Sequence, residues 1–188
     1  MVSAEVSPAG AAFAESLPCI VLVGMMGAGK TTVGRELAKR LGRRFVDSDH
    51  EIVERTGVPI PVIFDVEGED GFRKRETMII DELSHDSGVV LATGGGAVLR
   101  AANRDILKSR CRVVYLDVPP QALFERTRHD KNRPLLQVEN PRAKIESLYR
   151  ERDPLYRLVA HVVVSGGRGS AKSMLRKIEK ALQEQCAN

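Results

Sequence analysis

The chain has 188 residues, 43% hydrophobic and 29% charged, with a net charge of +4 and no tryptophan. That size and balance suit one globular domain with a proper core. Its longest apolar runs, Ile20–Val23 and Val162–Val164, are far too short to cross a bilayer, and its arginines are neither gathered in one run nor interleaved with aromatics, so neither a membrane nor a nucleic acid is expected as a partner.

Met1–Ser16 is rich in Ala and Ser and lacks the basic and continuous apolar regions of a signal peptide. Residues 1–17 therefore read as a flexible leader and residues 18–188 as a single domain. Cys19, Cys111 and Cys186 are far apart with no CxxC spacing, which suggests free thiols in a reducing compartment. The first two adjoin apolar runs and read as buried.

Pro18–Val23 is a short apolar, β-branched run that predicts a buried strand. Val33, Leu37, Ala38 and Leu41 repeat at helical spacing over Thr32–Leu41, and Gly42 ends that helix. Arg44–Asp47 predicts a second strand and Asp49–Thr56 a helix closed by Gly57 and Pro59. Asp70–His85 places Phe72, Ile79, Ile80 and Leu83 on one helical face. Gly88–Ala92 predicts a third strand running into Gly94–Gly96. Asn103–Ser109 follows as a helix, Arg112–Leu116 as a fourth strand, and Pro119–Thr127 as a helix with proline in its first turn. Arg128–Asn140 is polar and irregular and reads as a mobile loop. Pro141–Arg157, Ala160–Val164 and Ser170–Gln185 predict a helix, a fifth strand and a closing helix. Alternating helices and continuously apolar strands imply a parallel sheet covered on both sides.

Gly24-Met-Met-Gly-Ala-Gly29-Lys30-Thr31 fits GxxxxGK[ST] between a predicted strand and a predicted helix, the setting a phosphate-binding loop requires. Such a loop turns successive backbone N–H groups inward around phosphate oxygens at a helix N-terminus. Lys30 would place its ammonium on the β- and γ-phosphates of ATP, and the Thr31 hydroxyl would ligate Mg2+. No NKxD base-reading motif of GTPases is present, and Arg126 and Arg133 flank a lid-like loop. A small-molecule kinase fits better than a GTPase or a motor.

Asp47 and Asp49 stand two apart at the end of a strand, so both carboxylates face the edge where α/β sheets bind ligands. One can hold Mg2+ through water, and the other can accept a proton from an acceptor hydroxyl. Taken alone, Asp49 reads equally well as the cap of the next helix. Arg73 and Glu76, three apart on a helix, can pair on one face, which is the pattern of an ordinary surface ion pair. Arg152 extends the apolar stripe Ile145, Leu148, Tyr149 by one turn, so its guanidinium either snorkels or meets an anion. Gly94–Gly96 carries no side chains and lets backbone amides approach a ligand closely.

Taken together these segments resemble the shikimate kinases. GMMGAGKTT, DSD (47–49), GEDGFRKRE (68–76), TGGG (93–96), RPLL (133–136) and RDPLY (152–156) come in that family's order and spacing, from Ile20 to about Leu182. The resemblance implies a P-loop three-layer α/β/α fold with five parallel strands in the order 2-3-1-4-5. It also implies ATP-dependent phosphorylation of the 3-hydroxyl of shikimate on the route to chorismate, by a cytoplasmic monomer. ATP would lie on Gly27, Ala28, Gly29, Lys30, Thr31 and Thr32, with Arg126 stacked on adenine, Arg133 reaching the phosphates from the lid and Mg2+ held by Thr31 and Asp47. Shikimate would be bound by Asp49, Arg73, Arg152 and the Gly94–Gly96 backbone, with Glu76 holding the arginines. Lys30, Asp49 and Arg133 would carry catalysis. The acceptor-binding region would span about 48–86 and the lid about 128–140. DSD in place of DTD changes only the residue between the two acids. The alternatives are a related kinase of gluconate or a nucleoside monophosphate, an ATP-binding regulator without chemistry, and a nucleic-acid-binding module.

Overall fold

The computed structural model describes residues 17–128, 134–167 and 169–186. Five strands, β1 (Ile20–Val23), β2 (Arg44–Asp47), β3 (Val89–Ala92), β4 (Arg112–Asp117) and β5 (Val162–Ser165), form one parallel sheet in the order β2-β3-β1-β4-β5. Ile20 sits opposite Val90 on one side and Arg112 on the other, so β1 is the central strand. The predicted fold class and strand order are those observed.

Among the described residues seven α-helices connect and cover the strands: α1 (Lys30–Leu41), α2 (Ser48–Thr56), α3 (Ile60–Leu83), α4 (Ala101–Arg110), α5 (Pro120–Thr127), α6 (Pro141–Val159) and α7 (Ala171–Cys186). One layer is α1 against α7, joined by Arg40 Nη1 to the Glu179 carboxylate at 3.0–3.1 Å. In the other layer α6 packs against α4, α5 and β4. The centre holds Tyr115 of β4 stacked on Tyr156 of α6, ring centroids 5.0 Å apart and both fully buried.

Three local results differ from the sequence reading. Continuous burial holds for β1 and β3 and for the middle of β4, whereas the edge strand β5 alternates, with Val162 and Val164 inward and Val163 exposed. An edge strand has a neighbour on one side only, and here one face of it also meets solvent. Leu17, assigned to the leader, is buried in the core, and its carbonyl accepts from Arg43 Nη2 at 2.7 Å; residues 1–16 lie outside the described residues. Helix α3 begins at Ile60, ten residues before the predicted start, and turns at Gly68 (φ 70°, ψ −178°). Val62, Phe64 and Val66 in its first part are exposed and only Ile60 and Ile63 turn inward, too short a stripe to mark those turns as helical.

Candidate active site

A cleft of about 1300 Å³ opens along the C-terminal ends of the strands, and both sets of predicted residues line it. On one wall the loop from β1 passes tightly under β4. A Cβ on Gly24 (φ 142°) would lie 2.8 Å from the Leu116 carbonyl oxygen, so the turn excludes any larger residue. Helix α1 then starts at Lys30 with no side-chain cap and no acidic residue in its first turn. Its leading N–H groups and the positive end of its dipole therefore face the cleft uncompensated, which suits an anion. Lys30 Nζ lies along the loop, donating to the carbonyls of Gly24 (2.8 Å) and Met25 (3.0 Å).

Thr31 Oγ1 donates to Asp47 Oδ2 at 2.9 Å. This joins the first turn of α1 to the end of β2 through two hard oxygen donors, the donor chemistry a Mg2+ ion prefers when phosphates and water complete its shell. Gly27, Ala28, Gly29 and Thr32 border the same wall. Arg126 of α5 lies across its outer end, donating to the carbonyls of Gly27 (3.3 Å), Ala28 (3.4 Å) and Gly167 (2.9 Å). Arg133, predicted to act from the lid, lies outside the described residues.

The opposite wall collects side chains from three helices around the glycine turn that follows β3. Asp47, not Asp49, caps α2: its Oδ1 accepts from the Asp49 N–H at 3.2 Å. The Asp49 carboxylate is thereby released from local duty and turned inward. Burial first, then the neighbouring Asp47 charge, raises its pKa, while Lys30 and Arg73 pull it back. Arg73 and Glu76 do not form a surface pair. Glu76 is fully buried, and its Oε2 accepts from Arg73 Nη1 at 2.8 Å. Burial pushes the Glu76 carboxyl up to about 7 against the pull of Arg73.

Arg152 is 6% exposed, so it meets the site rather than snorkelling to solvent, and its Nη1 donates to the Gly95 carbonyl at 3.3 Å. Among the described residues Asp49 Oδ1, Glu76 Oε1 and Arg152 Nε are buried polar atoms without a hydrogen-bond partner. Three such atoms around one cleft cost stability unless a ligand completes them. Gly94 and Gly96 make room for this cluster. A Cβ on Gly94 would meet Asp49 Oδ1 at 2.7 Å, and one on Gly96 would overlap the Arg73 guanidinium.

Two positions escaped the sequence reading. Ser48, taken as a neutral spacer between two acids, is fully buried, and its Oγ accepts from the Gly94 N–H at 3.1 Å. It ties the start of α2 to the glycine turn, a task any hydroxyl at that position could perform. Tyr156, the last residue of the RDPLY segment, donates its hydroxyl to the Gly95 carbonyl at 2.5 Å. Its position four residues after Arg152, on the same inward stripe, was the available signal.

Comparison with known proteins agrees with this geometry. A shikimate kinase from Aromatoleum aromaticum is 67% identical over 164 residues, covering 87% of this chain and 94% of its own. One from Dechloromonas aromatica is 59% identical over 165 residues, 86% of this chain and 90% of its own. The solved structure of shikimate kinase from Acinetobacter baumannii in complex with shikimate superposes with a TM-score of 0.88 at 55% identity, covering 94% of this chain and 98% of that one. A gluconokinase from Sinorhizobium meliloti, at 18% identity and a TM-score of 0.59, shares the fold alone. The family model for shikimate kinase matches residues 26–183, and with these relatives it shows that the chain belongs to the shikimate kinase family.

Proposed function

We propose that this protein transfers the γ-phosphoryl group of ATP to the 3-hydroxyl of shikimate, giving shikimate 3-phosphate and ADP. The observation that carries the reading is that Asp49, Arg73, Arg152 and the Gly94–Gly96 turn line the same cleft as Lys30 and Thr31. A carboxylate-binding wall therefore faces a phosphate-binding loop.

In this reading Arg73 and Arg152 hold the acceptor carboxylate, whose planar shape matches a guanidinium fork. Asp49 accepts hydrogen bonds from ring hydroxyls and takes the proton of the reacting one, for which its raised basicity suits it. The hydroxyl oxygen then bonds to the γ-phosphorus as the bond to the β–γ bridging oxygen breaks and ADP leaves. Lys30 follows the negative charge from the γ- to the bridging oxygen, and Arg133 adds a second positive group from the lid. Arg126 stacks on adenine. Thr31 and Asp47 would hold Mg2+, which would supply positive charge to offset part of the charge of the phosphates. Glu76 fixes Arg73.

No helix among the described residues is long and apolar enough to cross a membrane. We read the enzyme as a cytoplasmic monomer whose leader, residues 1–16, adds nothing to the site.

The test is ADP release with ATP·Mg2+ against shikimate, gluconate, AMP and CMP. Turnover is expected with shikimate and little with the other three, and equal turnover with AMP or none with shikimate overturns the reading. In the same assay Arg133→Ala should lower kcat by roughly a hundredfold, the scale of losing one preorganised charge-stabilising donor.

A further inference from the structure

The glycine turn after β3 has no side chains with which to hold itself, yet it must present its backbone at a fixed height in the cleft. Its middle carbonyl, that of Gly95, is gripped from one side by two groups of α6: the Tyr156 hydroxyl at 2.5 Å and Arg152 Nη1 at 3.3 Å. Tyr156 is fully buried, stacked on Tyr115, and its oxygen also lies 3.8 Å from the Met25 sulfur at the root of the phosphate loop. We propose that Tyr156 is a positioning residue for the phosphoryl acceptor: its hydroxyl fixes the Gly95–Gly96 peptide and, through the shared carbonyl, the aim of Arg152. This rests on the reading of the cleft as a shikimate site.

The physical case has two parts. A trans peptide carries its C=O and the following N–H on opposite sides. Holding the Gly95 carbonyl toward α6 therefore sends the Gly96 N–H away from α6, in a turn where Gly96 lies directly against the Arg73 guanidinium. Without the tyrosine, only the longer Arg152 contact opposes a flip of this glycine peptide, because no Cβ disfavours either orientation. The second part concerns Arg152. With Nη1 spent on Gly95, its buried Nε remains without a partner among the described residues, and that donor is oriented only as long as the carbonyl stays where it is. Tyr156 thus acts on acceptor binding through the backbone and through Arg152, touching neither ATP nor acceptor.

Tyr156→Phe keeps the ring stack and the buried volume and removes one hydroxyl. Wild-type enzyme is assayed beside it, so absence of shikimate turnover in the wild type would sink the functional reading and not this inference alone. The expected result is a KM for shikimate raised about tenfold, the scale of one lost hydrogen bond in a buried network, with the KM for ATP within about twofold. Tyr115→Phe, which removes a hydroxyl of the same buried layer that donates to Asp153 at 2.9 Å and not to Gly95, should leave the KM for shikimate within about twofold. The inference is overturned if Tyr156→Phe keeps the wild-type KM for shikimate, if both KM values rise together, if Tyr115→Phe raises the shikimate KM equally, or if Tyr156→Phe lacks a cooperative thermal transition.

Discussion

The two walls of the cleft are built on opposite plans. The phosphate wall is a single turn of chain, Gly24–Thr31, between one strand and one helix, and most of what it offers is backbone. The acceptor wall draws Asp49 from α2, Arg73 and Glu76 from α3, the glycine turn from the end of β3 and Arg152 from α6. Backbone amides are the same in every residue, so a local motif suffices to aim them. Side chains reaching a common point from three helices, around a turn from a fourth element, depend on the whole fold. The first wall should therefore fail in chemistry when altered, and the second in acceptor binding and in stability.

The largest effect tests the first half of that contrast. Lys30→Ala should lower kcat by about a thousandfold, the upper scale for one preorganised electrostatic contact, while the KM for shikimate changes little. Steady-state ADP release decides it, and a shikimate KM that rises as far as kcat falls would break the distinction between the walls.

A smaller effect comes from the acceptor wall's charge. Glu76 has a carboxyl pKa near 7 in the folded chain against an ordinary value of 4.5, because burial outweighs the attraction of Arg73. Between those values the folded chain keeps a proton that the unfolded chain has lost. The stability from this group is thus full below about pH 4.5 and is lost as pH rises through 7, by about 3 kcal/mol in all. Asp49, also raised by burial, adds to the same slope. Denaturant titrations at pH 5 and pH 8 should show a smaller difference for Glu76→Gln than for wild type. An unchanged difference would mean that Glu76 is ionised throughout.

The contrast also explains what was legible in the sequence. The phosphate loop could be read in full, because its residues are contiguous and its flanks are a strand and a helix. On the acceptor wall the residue types were visible but their surroundings were not. Asp49 could be a cap or a ligand until Asp47 was seen to take the cap. Arg73 and Glu76 have the spacing of a solvent-exposed pair, and only the packing of α3 buries the carboxylate. Ser48 and Tyr156 act on backbone atoms of Gly94 and Gly95, and no sequence pattern announces a backbone partner that lies distant along the chain. The first turns of α3 were missed because Val62, Phe64 and Val66 face outward, leaving Ile60 and Ile63 too short an inward stripe, and because prolines precede and enter them.

The smallest effect separates space from backbone strain. Gly94 does not adopt a positive φ, so alanine is compatible with its backbone. What alanine meets is the acceptor wall itself: its Cβ would lie 2.7 Å from Asp49 Oδ1 and 3.0 Å from Glu76 Oε1. Both of these oxygens are buried, and the Gly94 N–H is held by Ser48, so the turn cannot simply back away. Overpacking of this kind costs about 1–3 kcal/mol. Against it, alanine narrows the unfolded ensemble and returns about 0.4–1 kcal/mol of stability. The melting temperature of Gly94→Ala should therefore fall by only a few degrees. The displaced Asp49 and Glu76 should instead appear in acceptor binding, as a Kd for shikimate raised about tenfold or less at unchanged Kd for ATP. Isothermal titration with each ligand separately reads this directly. If ATP affinity falls as far as shikimate affinity, the two walls are mechanically one, and the division between a backbone wall and a side-chain wall does not hold.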